Sequence, residues 1–271
     1  MRCAPLPLTA ASVAFPRSGD TCRRAVRVRA YAWDAAPMAE IAQYAAGGEA
    51  HGAPVGTVQA RMRALRSGWR VDDGVAVFNR VYLAVTEELG RRVGQGEFPD
   101  RGSAATLRVL FAERYLAAVD TVAAGGRAPA CWRPLFQFRR HPGVRPMQFA
   151  LAGINAHVGH DLGLAVVDTC RTLGCRPADL EGDFSRVGEI LTMLEERIRE
   201  DLMPGPDLLE ITDPLTHLIG SWSLERAHDG AWSAARLLWG LRGLPALAAE
   251  FTQRLDAGVG LVGRCLLTPL R

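Results

Sequence analysis

The residues best suited to chemistry lie in one apolar stretch, from Gln148 to Asp168. Its pattern predicts a helix that is buried on all sides, because few of its residues are polar. At helical spacing His157, Asp161 and Asp168 fall on one stripe, and His160 lies to one side of it. Because an unpaired buried carboxylate is costly, these groups require a cation or hydrogen-bond donors.

A histidine four residues before an aspartate presents a nitrogen and an oxygen side by side, as helical metal sites do. The spacing therefore predicts His157, His160 and Asp161 as ligands of a divalent metal, zinc or iron. Two alternatives stay open. In the first, the stripe, including Asp168, does acid–base work without a metal, as in a cyclase or isomerase. In the second, the polar groups of the stripe only pair with one another, in a binding or structural protein. For either enzyme we expect a small organic substrate and Asp168 as a catalytic group.

Three residues on other predicted helices are candidates to complete the site. Glu113 is the candidate carboxylate ligand from a second helix. Asn79 shares a helix face with other polar residues spaced seven apart, and is a candidate catalytic group. Arg226 lies among tryptophans, where a guanidinium can hold a carboxylate or phosphate, or neutralise the stripe.

The elements that must position these residues are helices. Period-two alternation is nearly absent, so we predict an all-α fold, a single bundle-like domain of about seven helices with a central buried helix. The predicted helices are Thr57–Trp69, Val75–Leu89, Ala104–Ala124, Met147–Leu173, Phe184–Leu202, Leu215–Leu241 and Leu244–Leu267. Asp73, Ser103 and Asp183 stand where N-caps belong.

The first 37 residues differ from the rest in being rich in arginine and poor in acids. We interpret residues 1–37 as a loosely attached arm or a mis-assigned start, and residues 38–271 as the domain. Organellar targeting by the arm is the minor alternative to a cytoplasmic location.

Composition excludes several classes of protein. The 271 residues are 48% hydrophobic and 23% charged, with a net charge of +3. No apolar run is long enough for a membrane span, and the small, evenly spread charge argues against nucleic acid as a partner. Glycine-rich nucleotide loops are absent, so no nucleotide cofactor is expected. Six cysteines without Cys-x-x-Cys spacing are interpreted as buried thiols. The oligomeric state is left open.

Several runs together resemble an uncharacterised all-helical family common in actinobacteria. They are FNRVYLAVT (78–86), FAERY (111–115), LAGINAHVGHDL (151–162) and the helix carrying Trp222, Arg226 and Trp232. The resemblance covers residues 58–238. It supports a helical domain and implies no activity.

A local resemblance concerns AHVGHDL, residues 156–162. This run is similar to the His-x-x-x-Asp helix of the zinc-dependent phospholipase C and single-strand nuclease group. The resemblance implies zinc ligands at His157 and Asp161, and it is confined to the spacing of these two residues.

Overall fold

The computed structural model describes residues 52–202 and 222–269, and the regular structure in both ranges is helical. The all-α prediction is confirmed. The α-helices are α1 (Gly52–Gly68), α2 (Gly74–Gly94), α3 (Arg101–Ala123), α4 (Arg133–Phe138), α5 (Pro146–Ala156), α6 (Gly163–Leu173), α7 (Glu181–Leu202), α8 (Leu224–Gly240) and α9 (Pro245–Leu266). The arm predicted for residues 1–37 and the start of the helix predicted at Leu215 lie outside the described residues.

The described ranges hold nine α-helices, against the seven predicted, for two reasons. The proline-rich loop after α3 contains the short helix α4, which begins next to Pro134. The predicted helix Met147–Leu173 is interrupted by a π-helical turn, His157–Leu162, which separates α5 from α6. Together α5, the π turn and α6 form the central helix.

The helix caps agree with the prediction at one position and differ at two. Asp73 caps α2 by accepting a hydrogen bond from the Val75 N–H. Ser103 was predicted to cap α3, but Asp100 does so, since its side chain accepts from the Gly102 N–H. Asp183 was predicted to cap α7, which begins at Glu181, and Asp183 instead accepts the Ser103 hydroxyl.

The central helix is buried between four others, as predicted. Its first half packs against α2 and α9, and its second half packs against α3 and α8. Two hydrophobic clusters meet along it: one surrounds α2 and α5, and the other surrounds α6 and α8. The π turn lies where these clusters join, with Ala156 in the first and Val158 and Leu162 in the second.

Glycines allow the close approach of neighbours to this helix. A Cβ on Gly153 would lie 2.2 Å from the Phe78 ring, and one on Gly163 would lie 2.8 Å from the Ala231 carbonyl oxygen. Both distances are too short for a real side chain, so Phe78 and α8 can pack here only against glycine. The aromatic ring of Phe78 is thereby brought next to the π turn.

Within the described ranges, every helix is too short or too polar to cross a lipid bilayer.

Candidate functional site

The Asp161 carboxylate is the centre of a buried hydrogen-bond network. Its Oδ2 accepts the Trp132 Nε1–H at 2.9 Å and contacts Nδ1 of His157 at 3.1 Å. Its Oδ1 contacts Nδ1 of His160 at 2.8 Å. Since an ionised carboxylate can only accept, both imidazoles must carry a hydrogen on Nδ1. Burial acts to raise the pKa of Asp161, but the hydrogen bonds from the two histidines outweigh it and hold that pKa well below its usual range.

His157 lies in a cage of aromatic rings. Its imidazole stacks on Phe111 with the ring centroids 3.6 Å apart and meets Tyr82 edge-on at 4.3 Å. The side chain is 2% exposed, and its Nε2 has no hydrogen-bond partner. Burial lowers the pKa of His157, so the ring is neutral at physiological pH, with Nε2 as an unused acceptor.

His160 points its other nitrogen toward a different environment. One ligand atom of His160, the Cys131 sulfur and a carboxylate oxygen of Asp256 lie within 4.8 Å of one another. Because Nδ1 of His160 is bonded to Asp161, Nε2 is the nitrogen that remains for this group. Thiolate, imidazole and carboxylate are all ligands of zinc and related transition metals.

Three separate elements bring this group together. Cys131 precedes α4, His160 lies in the π turn and Asp256 lies on α9. Asp256 also holds in place the cysteine loop, the segment 124–132 that carries Cys131, since its oxygens accept the N–H groups of Ala130 at 2.9 Å and Cys131 at 2.8 Å.

The approach of α9 to the cysteine loop depends on a glycine. A Cβ on Gly260 would lie 2.4 Å from the Ala130 carbonyl oxygen, which no side chain permits. Gly260 follows Asp256 by four residues and therefore lies on the same helix face. The Asp256 carboxylate and the backbone at Gly260 therefore both contact the cysteine loop.

The Cys131 thiol is held protonated by its surroundings. Burial raises its pKa well above the usual value, and the carboxylates of Asp161 and Asp256 raise it further. Such a thiol is not an independent nucleophile. A cation bound beside it would replace its proton and reverse this electrostatic balance.

Of the four predicted metal ligands, the structure places only His160 in this three-residue group. His157 and Asp161 bond to each other, and Asp161 supports the group from outside it. The structure does not bring Glu113 to the other three: its side chain is 35% exposed and pairs with Arg61 at 3.3 Å.

The predicted catalytic residues lie apart from Asp161. Asp168 pairs with Arg114 and Arg171, and Arg226 is exposed. The π turn explains why Asp168 leaves the stripe, since a wider turn rotates every later residue relative to a uniform α-helix. Asn79 is fully buried, where it donates to the Met62 carbonyl and accepts from the Tyr115 hydroxyl.

Sequence reasoning did not identify Cys131, Trp132 or Asp256 as site residues. Cys131 was interpreted as a buried thiol, which it is, whereas Cys265 is exposed. Two signals could have pointed to these residues. Cys131 stands directly before Trp132 in a proline-rich segment between two predicted helices. Asp256 is followed at helical spacing by Gly260 and Gly263, a pattern typical of close backbone packing.

Comparison with known proteins places the chain in a family but gives it no activity. No curated protein and no solved structure matches it. A family of unknown function (DUF5995) matches residues 55–269, which include the π turn, the cysteine loop and α9. The chain, with its Cys131, His160 and Asp256 group, belongs to this family of unknown function.

Proposed function

We propose that this protein is a metal-dependent enzyme acting on a small organic substrate, with the ion held by Cys131, His160 and Asp256. The observation that carries the proposal is that three ligand atoms of different types, from three elements, lie within 4.8 Å of one another. A metal ion that forms bonds of about 2.0–2.3 Å to its ligands fits between atoms at such separations after small side-chain rotations.

The types of ligand favour zinc. A thiolate disfavours magnesium and calcium, which prefer oxygen, and one sulfur, one nitrogen and one oxygen suit a borderline ion. Three protein ligands are typical of catalytic zinc sites, which keep a fourth position for water or substrate, whereas structural sites use four. Iron remains the second choice because imidazole and carboxylate also suit it.

Asp161 supports the proposal from outside the group. Metal-bound histidines usually donate their second ring nitrogen to a carboxylate or carbonyl, which fixes the ring and raises its basicity. His160 meets this requirement through its 2.8 Å contact with Asp161. Trp132 in turn holds Asp161, and it follows Cys131 directly in the chain.

The chemistry that such an ion supplies is Lewis-acid activation, of a bound water or of a substrate carbonyl or phosphoryl oxygen. The residues of this chain would then hold the ion and keep His160 in one tautomer. Hydrolysis of a small ester, amide or phosphate is the reaction class that this arrangement favours.

The experiment is a zinc titration of protein purified without a histidine tag, with a chromogenic chelator as competitor. We expect one equivalent of zinc to bind more tightly than micromolar. Cys131→Ser and His160→Asn should each weaken binding at least about tenfold, because each removes one ligand atom. Asn at position 160 can keep a donor toward Asp161, so the second variant isolates the loss of Nε2.

Two matched variants are the controls. Cys170 is another fully buried thiol and His228 another buried histidine, and neither lies in the group. Cys170→Ser and His228→Asn should therefore bind zinc as the unchanged protein does. The absence of saturable binding in the unchanged protein, or equal losses in the control variants, would contradict the proposal.

A further inference from the structure

A cavity of about 60 Å³ is lined by His157, one of the two histidines that contact Asp161. It is lined by residues of α2, α3, α5, the π turn, α7 and the start of α8. Its lining is largely apolar, with Phe78, Phe111, Leu162, Leu191 and Leu224 among the contributing residues. None of the proposed metal ligands lines it, so an inference from this cavity does not rest on the proposed function.

Arg108 lines this cavity and is a buried cation without an anionic partner. It is 8% exposed, and no carboxylate among the described residues forms an ion pair with it. One guanidinium nitrogen donates to the Thr86 carbonyl oxygen at 3.0 Å, and the Nε has no partner. Burial lowers the pKa of Arg108, which marks the cost of keeping this charge away from water.

His157 also lines the cavity, and its Nε2 is a second unpartnered polar atom, although neighbouring atoms cover it. This side chain is 2% exposed and lines the cavity, while its Nδ1 is bonded to Asp161. The cavity therefore combines an almost wholly apolar wall with one charged side chain, Arg108.

We propose that this cavity binds a short apolar carboxylate, with the carboxylate on Arg108 and the hydrocarbon part against the aromatic and aliphatic wall. A guanidinium matches a carboxylate in charge and geometry, and the charged hydrogen bonds are strong where water is excluded.

The size of the cavity sets the size of the ligand. At 10–15 Å³ of this volume for each water-sized group, about 60 Å³ holds roughly four to six non-hydrogen atoms. With the carboxylate at the Arg108 side chain, only the hydrocarbon chain must fit: the five carbons of hexanoate fall within this range, the three of butyrate below it and the seven of octanoate above it. Octanoate is too long unless the wall moves.

The test is isothermal titration calorimetry of the full-length protein with sodium butyrate, hexanoate and octanoate. The neutral compound 1-hexanol, which matches hexanoate in chain length, is titrated in the same way. We expect saturable binding of one equivalent of butyrate or hexanoate. Octanoate and 1-hexanol should each bind at least about tenfold more weakly, the first for its length and the second for its missing charge. Equal binding of hexanoate and 1-hexanol, or no binding of any acid, would overturn the proposal.

Arg108→Met separates a ligand-binding arginine from a structural one. The Thr86 carbonyl keeps a donor in this variant, since Gln59 also donates to it at 3.3 Å. Removing an unpaired buried charge should leave the melting temperature unchanged or higher while hexanoate binding is lost. A lowered melting temperature with unchanged hexanoate binding would overturn the proposal.

Arg92→Met is the matched control. Arg92 is also largely buried, but it pairs with Glu88 and Glu97 and does not line the cavity. This variant should lose stability and keep hexanoate binding. If Arg108→Met does not fold, the comparison of hexanoate with 1-hexanol on the unchanged protein still decides.

Discussion

His157 and His160 share one carboxylate but face different surroundings. Each ring contacts Asp161 through Nδ1, at 3.1 Å and 2.8 Å. Nε2 of His160 lies near a thiol and a second carboxylate, whereas Nε2 of His157 has no partner among aromatic rings. The two side chains therefore start from the same tautomer and differ in what their free nitrogen can meet. One surrounding suits a cation, and the other suits a small apolar ligand.

The π turn makes this difference. Two histidines three apart on an α-helix would lie on neighbouring parts of one face. A wider turn spreads them around Asp161, so that one faces α9 and the cysteine loop, and the other faces α2 and α3. π turns inside α-helices are frequent at functional sites.

Asp161→Ala should have the largest effect, because Asp161 contacts both His157 and His160. Three buried N–H donors, on Trp132, His157 and His160, would lose their acceptor. We expect the free energy of unfolding to fall by about 3–5 kcal/mol in urea denaturation. The control is Asp168→Ala, on the same helix, whose partly exposed ion pairs should cost only about 1 kcal/mol. Similar losses in both variants would contradict a special role for Asp161.

Gly260→Ala should disturb the His160 side alone. The added Cβ would meet the Ala130 carbonyl at 2.4 Å and push the cysteine loop away from α9. We expect a loss of about 1–3 kcal/mol in stability and weaker zinc binding. Gly258→Ala, two residues earlier on the same helix, has nothing within 4 Å of its Cβ and should be neutral or slightly stabilising. Unchanged zinc binding in Gly260→Ala would show that the loop position does not matter.

The pH dependence of stability should report on the His157 side. Burial lowers the pKa of His157, against the raising effect of Asp161 and with Arg114 lowering it further. Below the unfolded value near 6.5 the unfolded chain therefore binds more protons than the folded one, so stability falls as pH falls from about 6.5. The slope cannot exceed about 1.4 kcal/mol per pH unit for this residue.

His157→Asn should flatten that slope, measured by urea denaturation between pH 7.5 and 5.5. His228 is a useful comparison because burial also lowers its pKa. Its ring stacks on Phe184, whereas that of His157 also contacts Asp161. His228→Asn should flatten the slope independently, and the two effects should add. A slope unchanged by either substitution would mean that both histidines titrate normally in the folded protein.

Glu113→Gln should have the smallest effect. Its carboxylate is over one-third exposed and pairs with Arg61, so we expect a change in stability within about 0.5 kcal/mol and no change in zinc binding. The same chelator competition checks this. Loss of zinc binding in this variant would contradict the account and support Glu113 as a metal ligand, as the sequence predicted.

The sequence predicted the fold and the burial of polar residues in its central helix, for a definite physical reason. Helical periodicity and caps are local signals, so the central buried helix and the cap at Asp73 were identified. The polar residues in that helix also stood out, because charge in an apolar stretch requires partners. His157, His160 and Asp161 are indeed buried together.

For the remaining site residues the sequence held only weak local signals, which did not show that these residues meet in the fold. Cys131 and Asp256 reach His160 only through the packing of α9 on the cysteine loop, which joins residues far apart in sequence. No residue type predicts the π turn, which changes the helical period locally. The prediction therefore assumed a uniform α-helix and placed Asp168 on the stripe. Glu113 was chosen for its helix position, but its nearest cation was Arg61 on α1.

X-ray absorption spectroscopy of the zinc-loaded protein tests the central claim most directly. Ligation by Cys131, His160 and Asp256 predicts one sulfur at about 2.3 Å and nitrogen or oxygen ligands at about 2.0–2.2 Å. The sulfur shell should vanish in Cys131→Ser and persist in Cys170→Ser. A first shell without sulfur, or with sulfur that survives Cys131→Ser, would contradict the account.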